Sequence, residues 1–259
     1  MAFRSMGLGS KISSKSLGQN FLKDKTAAIT LISDIKNTDN VIEIGPGLGF
    51  ITTELAQRTD NITLVEIDPS LVKILKEKFK NKNIDIINQD VLTLNLKDLF
   101  KNKVRDYKLV GALPYYISKD IISFFLKGEI RPQSISVILQ KEVAIKYTTP
   151  GNLLYNTLRV YADIIEFRGV ITKDKFTPIP KVDSGIVYIS NIHNKTEGES
   201  NFNKTDLSET DFENFLKRGF LNPPKMLKSS IPNIEEKYSK YRAHQLSFEE
   251  WKELFMKRN

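Results

Sequence analysis

Between about residues 39 and 190, short apolar runs alternate with segments whose apolar residues recur every three or four positions. Runs of four to eight β-branched or large apolar residues mark buried strands, and the three-to-four spacing marks one face of a helix. The runs predict strands over residues 40–44, 62–67, 84–88, 108–111, 134–139, 164–172 and 182–189, with helices between most of them. Such alternation belongs to the α/β class and predicts a doubly wound, Rossmann-like sheet. Leu71, Leu75 and Phe79 stand four apart, so a helix over 71–79 packs one stripe on that sheet, and packing is a sufficient reason for it.

The pattern stops at residues 191–205, a polar stretch without periodicity that reads as a linker. Beyond it, Thr210 with Glu213 has capping-box spacing and predicts a helix through Phe220, and Ser247 with Glu250 predicts another through Met256. The expected organisation is an arm over 1–23, a main α/β domain over 24–190, the linker, and a small helical domain over 206–259.

One strand ends in a glycine turn: residues 41–52 read V-I-E-I-G-P-G-L-G-F-I-T. Gly45, Gly47 and Gly49 let the backbone take dihedrals closed to other residues and let a ligand approach the main chain, as cofactor turns between a first strand and a first helix require. A dinucleotide fingerprint would put its third glycine at position 50, which is Phe50. Glu43 is expected to bring negative charge to the turn, favouring a cationic or zwitterionic ligand over a pyrophosphate. S-adenosylmethionine meets that requirement.

Composition narrows the chemistry. With no cysteine and two histidines, disulfides, thiolate sites and cysteine nucleophiles are excluded, and a histidine metal centre is not expected. No apolar run approaches the roughly 18 to 20 residues that span a bilayer, so no membrane association is expected. The net charge of +8 suits a polyanionic partner such as nucleic acid, and equally suits a merely basic surface. Arg4, Lys11, Lys15 and Lys23, interspersed with serines and no acid, read either as a targeting segment or as a basic arm touching RNA; the arm is preferred because it runs into a motif.

Three further positions fall where strands end. Glu66, about 20 residues past the glycine turn, stands where an acid accepts both ribose hydroxyls. Asp90 ends the next strand and can accept from an adenine amino group. The strand after that delivers Gly111-Ala112-Leu113-Pro114-Tyr115-Tyr116, a rigid proline turn with outward carbonyls and a flat face for a base.

Together with these, Ser16 to Leu22 (S-L-G-Q-N-F-L), V-E-I-D at 65–68, Q-D at 89–90, L-P-Y at 113–115, Q-K-E-V-A at 140–144 and F-T-P-I-P-K-V-D-S at 176–184 resemble the ribosomal RNA adenine dimethyltransferases of the KsgA type. Each motif alone is weak, but seven in order over residues 16 to 190 are specific. The resemblance implies a class I methyltransferase sheet with a small C-terminal helical domain. It implies that Asn20 and Leu22 close over S-adenosylmethionine, that Gly45, Gly47 and Gly49 pass under its amino-acid end, and that Glu66 holds its ribose and Asp90 its adenine. It implies methyl transfer, without a metal, to N6 of two adjacent adenosines near the 3′ end of small-subunit rRNA. The target bases leave their stack to reach a pocket whose aromatic faces are Tyr115 and Phe176. The partners implied are that rRNA and the immature small subunit, met by a cytoplasmic monomer during ribosome biogenesis.

The resemblance places the reacting amine beside Ala112, Leu113, Pro114 and Tyr115, with Ala112 also bordering the cofactor; the family supplies its acceptors through a backbone carbonyl and an asparagine side-chain amide, and the carbonyls of Ala112 and Leu113 are those that remain here. The family pattern is N-L-P-Y, and Ala112 replaces its asparagine, removing one side-chain acceptor. That departure keeps a rival in view, an RNA-binding assembly factor that retains the pocket with little or no turnover. A large-subunit rRNA dimethyltransferase shares the scaffold, although K-V-D-S leans against it. A second departure is Phe220-Leu221-Asn222-Pro223-Pro224-Lys225, where the family has consecutive basic residues starting a helix; prolines suit a first turn but make no phosphate contacts. Lys217, Arg218, Lys225 and Lys228 are the basic residues that can compensate.

Overall fold

Val41, Ile42 and Ile44 are buried, and so is Glu43 between them, because their strand lies in the middle of a sheet covered on both faces. A strand buried on both sides reads as a continuous apolar run. The structure, a computed structural model, describes residues 19–100, 106–193 and 208–257. In chain order the first elements are β1 (Phe21–Leu22), α1 (Lys25–Leu31), β2 (Val41–Ile44), α2 (Phe50–Leu55), β3 (Ile62–Glu66), α3 (Pro69–Lys78), β4 (Ile84–Asn88) and α4 (Leu96–Leu99). Next come β5 (Lys108–Ala112), α5 (Ser118–Lys127), β6 (Ser134–Gln140), α6 (Lys141–Thr148), α7 (Leu153–Arg159), β7 (Ala162–Ile171), β8 (Phe176–Thr177) and β9 (Ser184–Ile192). The tail holds α8 (Glu209–Gly219), α9 (Glu236–Ser239) and α10 (Phe248–Met256).

The large sheet has the order β4-β3-β2-β5-β6-β9-β7, and β1 with β8 form a separate two-stranded ribbon. Strands β2 to β6 run parallel, while β9 inserts antiparallel between β6 and β7. The expected doubly wound α/β class is therefore the one found. Strand order reverses at β2, whose neighbours are β3 on one side and β5 on the other, so a crevice opens above their carboxyl ends. One buried cluster joins α1, α2 and α3 to one face of the sheet, and a second joins α4 to α7 to the other. At the start of α3, Asp68 accepts the Ser70 N–H at 2.8 Å and Pro69 follows as a first-turn residue.

The expected linker begins later than 191: β9 continues to Ile192, which pairs with Ala162 at the sheet edge. Residues 194–207 and 1–18, which carry the rest of the linker and most of the basic arm, lie outside the described residues. The cap of α8 also differs from the Thr210–Glu213 pair. Ser208 Oγ accepts the Asp211 N–H at 3.1 Å and the Asp211 carboxylate accepts the Ser208 N–H at 3.0 Å. Glu213 is instead buried, accepting from Tyr161 Oη at 3.0 Å and pairing with Lys127 and Lys217, each at 2.7 Å. The Ser247–Glu250 box opens α10 as expected. Pro223 and Pro224 start no helix; they lie in turns between α8 and a short 3₁₀ segment at Leu227–Ser229.

Phe212, Phe215, Trp251 and Phe255 of the tail share one buried cluster with Ile135, Val187 and Ile189 of the sheet. Arg131 reinforces that junction, donating to both oxygens of Glu209 at 2.9 and 2.5 Å and to the His193 carbonyl at 2.7 Å. A buried charge is tolerated only when paired and hydrogen-bonded in this way.

Candidate active site

The glycine turn leaves β2 with Gly45, Gly47 and Gly49 at φ of +64°, +57° and +72°. A non-glycine residue held there is strained by about 1–2 kcal/mol. Space adds a second reason: a Cβ on Gly47 would lie 2.8 Å from the Phe21 ring, and one on Gly49 would lie 2.7 Å from that of Phe79. Lys78, from the end of α3, donates to the carbonyls of Leu48 and Gly49, both at 2.9 Å. These bonds tie the end of α3 to the turn, and the Gly49 carbonyl also accepts the Thr53 N–H of α2 at 3.2 Å.

Glu43 corrects one expectation. Its side chain is fully buried behind the turn and forms no part of the cleft wall, so it presents no charge to a ligand there. Thr52 Oγ1 donates to Glu43 Oε2 at 2.7 Å, whereas Oε1 is buried with no hydrogen-bond partner among the described residues. Burial pushes the carboxyl up to about 7 against the opposing effects of the Thr52 bond and the nearby Lys78 charge.

Glu66, the last residue of β3, faces the cleft with 4% of its surface exposed. Its two oxygens accept from the main-chain N–H of Gly47 at 3.2 Å and of Asp68 at 2.9 Å. Burial raises its pKa, while those two N–H groups hold it down. Asp90 caps a 3₁₀ turn at Val91–Thr93, accepting the Leu92 N–H at 3.0 Å, and stands at the cleft rim.

On the other side of β2, the exit of β5 carries Ala112, Leu113, Pro114, Tyr115 and Tyr116 into the same cleft. The Ala112 carbonyl oxygen lies 3.9 Å from where a Gly45 Cβ would stand, so the two strand exits are adjacent. Leu113 is buried, its N–H donating to the Ile138 carbonyl at 3.2 Å. Tyr115 is half-buried, its hydroxyl 2.7 Å from Ser184 Oγ, and Tyr116 is exposed. Phe176 is buried behind the opening. Its strand β8 pairs with β1, setting Leu22 opposite Phe176 and Phe21 opposite Thr177.

The cleft so formed has a volume of about 260 Å³. Asn20, Leu22, Gly45, Gly47, Glu66, Asp90, the 112–115 segment and Phe176 all line it; Gly49 does not, being turned into α3. Sequence reasoning missed Gln19, Phe50, Ile67 and Leu92 in the wall, as well as Lys78 behind it. Gln19 and Ile67 did carry a signal, since they stand inside the S-L-G-Q-N-F-L and V-E-I-D motifs; in the structure Ile67 is 51% exposed. The glycine cradle and an acid held at the turn suit the amino-acid and ribose ends of S-adenosylmethionine. Among the described residues there is no group of three or more His, Cys, Asp or Glu that could hold a metal ion, and no helix long and apolar enough to cross a membrane.

Comparison with known proteins gives a consistent result. The family described as "Ribosomal RNA adenine dimethylase" matches residues 11–237. The chain is 36% identical over 260 residues to Ribosomal RNA small subunit methyltransferase A of Dehalococcoides mccartyi, covering 93% of this chain and 86% of that one. The enzyme of the same name from Lactiplantibacillus plantarum is 34% identical over 230 residues, covering 85% and 75%. Among solved structures, the 23S rRNA methyltransferase ErmE superposes with a TM-score of 0.72 at 24% identity, covering 92% of this chain and 98% of that one. A dimethyladenosine transferase from Plasmodium falciparum gives 0.64 at 19% identity, covering 90% and 95%. Identities that low establish a shared fold and nothing more.

Proposed function

Because the chain belongs to the ribosomal RNA adenine dimethylase family, we propose that it dimethylates N6 of two adjacent adenosines near the 3′ end of small-subunit rRNA, on the immature small subunit. It is an S-adenosylmethionine-dependent rRNA adenine dimethyltransferase. The observation that supports the finer reading most is the convergence of the glycine turn, Glu66, Asp90 and the 112–115 segment on one cleft at the switch point of the sheet. We assign the work to a cytoplasmic monomer.

In this reading Asn20 and Leu22 cover the cofactor, Gly45 and Gly47 pass beneath its amino-acid end, and Glu66 and Asp90 hold its ribose and adenine; Gly49 shapes the turn from behind. When bound, S-adenosylmethionine supplies an electrophilic methyl group on a good leaving group. The protein then needs no nucleophile of its own, and its task is alignment. Tyr115 offers a face on which the target adenine, drawn from its stack, lies flat, with Phe176 behind the opening. The carbonyls of Ala112 and Leu113 are the acceptors near the amine, whose lone pair must leave conjugation with the ring as positive charge develops on nitrogen. Preorganised acceptors stabilise that charge. Ala112 contributes a main-chain carbonyl and no side-chain acceptor, so transfer is expected to be slow.

The test is transfer of labelled methyl groups from S-adenosylmethionine to purified small subunits lacking the modification, with the product identified as N6,N6-dimethyladenosine. Labelling of large-subunit rRNA instead would redirect the target. Tight binding of cofactor and small subunits with no transfer at long times would establish the assembly-factor reading that Ala112 motivates.

A further inference from the structure

The K-V-D-S segment at 181–184 has no part in the chemistry described so far, although it ends in a fully buried hydroxyl. Ser184 is the first residue of β9, flanked in the sheet by Gln140 on β6 and Ile171 on β7. Asp183 anchors the chain immediately before it: its carboxylate accepts the Lys173 N–H at 3.0 Å and its carbonyl accepts the Lys141 N–H at 3.0 Å. Ser184 is thus held by two strand neighbours on its own residue and by two hydrogen bonds on the residue before it. Its Oγ lies 2.7 Å from the hydroxyl of Tyr115, 69 residues away on the β5 exit loop.

Tyr115 is tethered at its other end as well. Ser118 Oγ donates to its carbonyl at 3.3 Å, and the Ile117 N–H closes the turn on the Pro114 carbonyl at 3.2 Å. The main chain and the tip of the phenol are both fixed, so the ring lying between them has one orientation. Without the Ser184 bond, rotation about its side-chain torsions would be limited by packing alone on a loop whose next residue, Tyr116, is 64% exposed. A ring held in its bound orientation loses less conformational freedom when a base stacks on it.

We propose that Ser184 is a positioning residue for methyl transfer: through the Tyr115 hydroxyl it fixes the ring on which the target adenine stacks, and it leaves cofactor binding alone. The assignment rests on the reading of Tyr115 as the stacking face. It gains weight from Ala112, because a site lacking one acceptor for the amine depends more on the ring to align it. It also gives Ser184 a reason to be a serine: at a fully buried strand position an alanine would satisfy packing.

The experiment is steady-state methylation of unmodified small subunits by Ser184→Ala, Tyr115→Phe, the double variant and Tyr115→Ala, with the cofactor dissociation constant measured separately by titration. Ser184→Ala is expected to lower kcat/KM for the small subunit about five-fold, the loss of one neutral hydrogen bond, with cofactor affinity unchanged. Tyr115→Phe should lose the same factor, and the double variant no more than either single one, because both substitutions delete one bond. Tyr115→Ala should lose more than any of these. A purely structural serine would give losses that multiply with Tyr115→Phe or that weaken cofactor binding in parallel, and either result overturns the assignment. Unchanged kinetics in Ser184→Ala alongside a large loss in Tyr115→Ala overturns it alone. Full activity in Tyr115→Ala overturns the stacking reading and the assignment with it.

Discussion

The two strand exits that frame the cleft differ in what specifies them. The turn after β2 is set by main-chain geometry: three glycines at positive φ, ring contacts where side chains would stand, and a lysine bonded to two of its carbonyls. The exit of β5 is set by side chains, with a proline turn, a tyrosine tied to a distant serine, and an alanine in place of the motif asparagine. A turn built from backbone cannot exchange a residue without moving. A loop that presents side chains can lose one and keep its path, so the acceptor side of the cleft can drift in rate while the cofactor side remains fixed.

The sharpest way to break that contrast is to restore the missing side chain. Ala112→Asn adds an acceptor to a site that is otherwise assembled, and by analogy with removal of one oxyanion-hole donor it should raise kcat on the order of 100 to 1,000-fold, about 2.7–4 kcal/mol in the barrier. Single-turnover methylation of small subunits with excess enzyme measures it directly. Cofactor affinity should stay within about two-fold, since a tenfold change needs about 1.4 kcal/mol of new cofactor contact. An unchanged rate would mean that the carbonyls of Ala112 and Leu113 already supply the acceptors, and that alanine here is no handicap.

On the cofactor side a smaller substitution should do harm. Gly47→Ala adds one methyl group, but at φ +57° and against the Phe21 ring at 2.8 Å. Strain of about 1–2 kcal/mol and repacking of about 1–3 kcal/mol together predict at least a 30-fold loss of cofactor affinity. The same change should leave kcat at saturating cofactor much less affected, the reverse of Ala112→Asn. Isothermal titration with S-adenosylhomocysteine measures the affinity, and a wild-type value would show that the turn yields more readily than its geometry indicates.

The two sides were unequally legible in sequence. The sheet could be read because buried strands are apolar runs bounded by turn residues, and the ends of all seven expected strands of the large sheet lie within three residues of those found. The glycine turn was legible for the same local reason. Glu43 was misread because its position beside the turn was visible, whereas its direction, set by the pleat of β2 and by Thr52 on α2, was not. The α8 cap was misread because two capping pairs overlap, and Glu213 is taken by Tyr161 and Lys127, residues far away in sequence. The β1–β8 ribbon, the Ser184–Tyr115 bond and Lys78 beneath the turn are contacts between distant segments, for which no local pattern exists.

Glu43 offers the gentlest test of the contrast, because it asks whether the backbone-built side also carries a stability penalty. Its pKa is about 7 in the folded protein against an ordinary 4.5. Between those values the folded state keeps a proton that the unfolded state releases. This group's contribution is therefore most favourable below about pH 4.5, declines as pH rises to about 7, and is constant above. The charges acting on it are Lys78, which favours the carboxylate, and Glu66, which opposes it. Glu43→Gln removes the titration while retaining an oxygen that can accept from Thr52, so the variant should gain on the wild type as pH rises from 4.5 to 7. The shift sets a ceiling of about 3 kcal/mol. The new amide nitrogen must find a partner where Oε1 has none among the described residues, a cost that is the same at every pH and so lowers the whole curve of the variant without changing this pH-dependent gain. On the acceptor side, Tyr115→Phe should show no such divergence, since burial raises the pKa of that phenol from its ordinary value of 10.0, away from this window. Thermal unfolding of the three proteins at pH 4.5, 6 and 8 separates these outcomes. Parallel curves for wild type and Glu43→Gln would mean that the carboxyl titrates alike in the folded and unfolded states, and that Lys78 and Thr52 offset its burial.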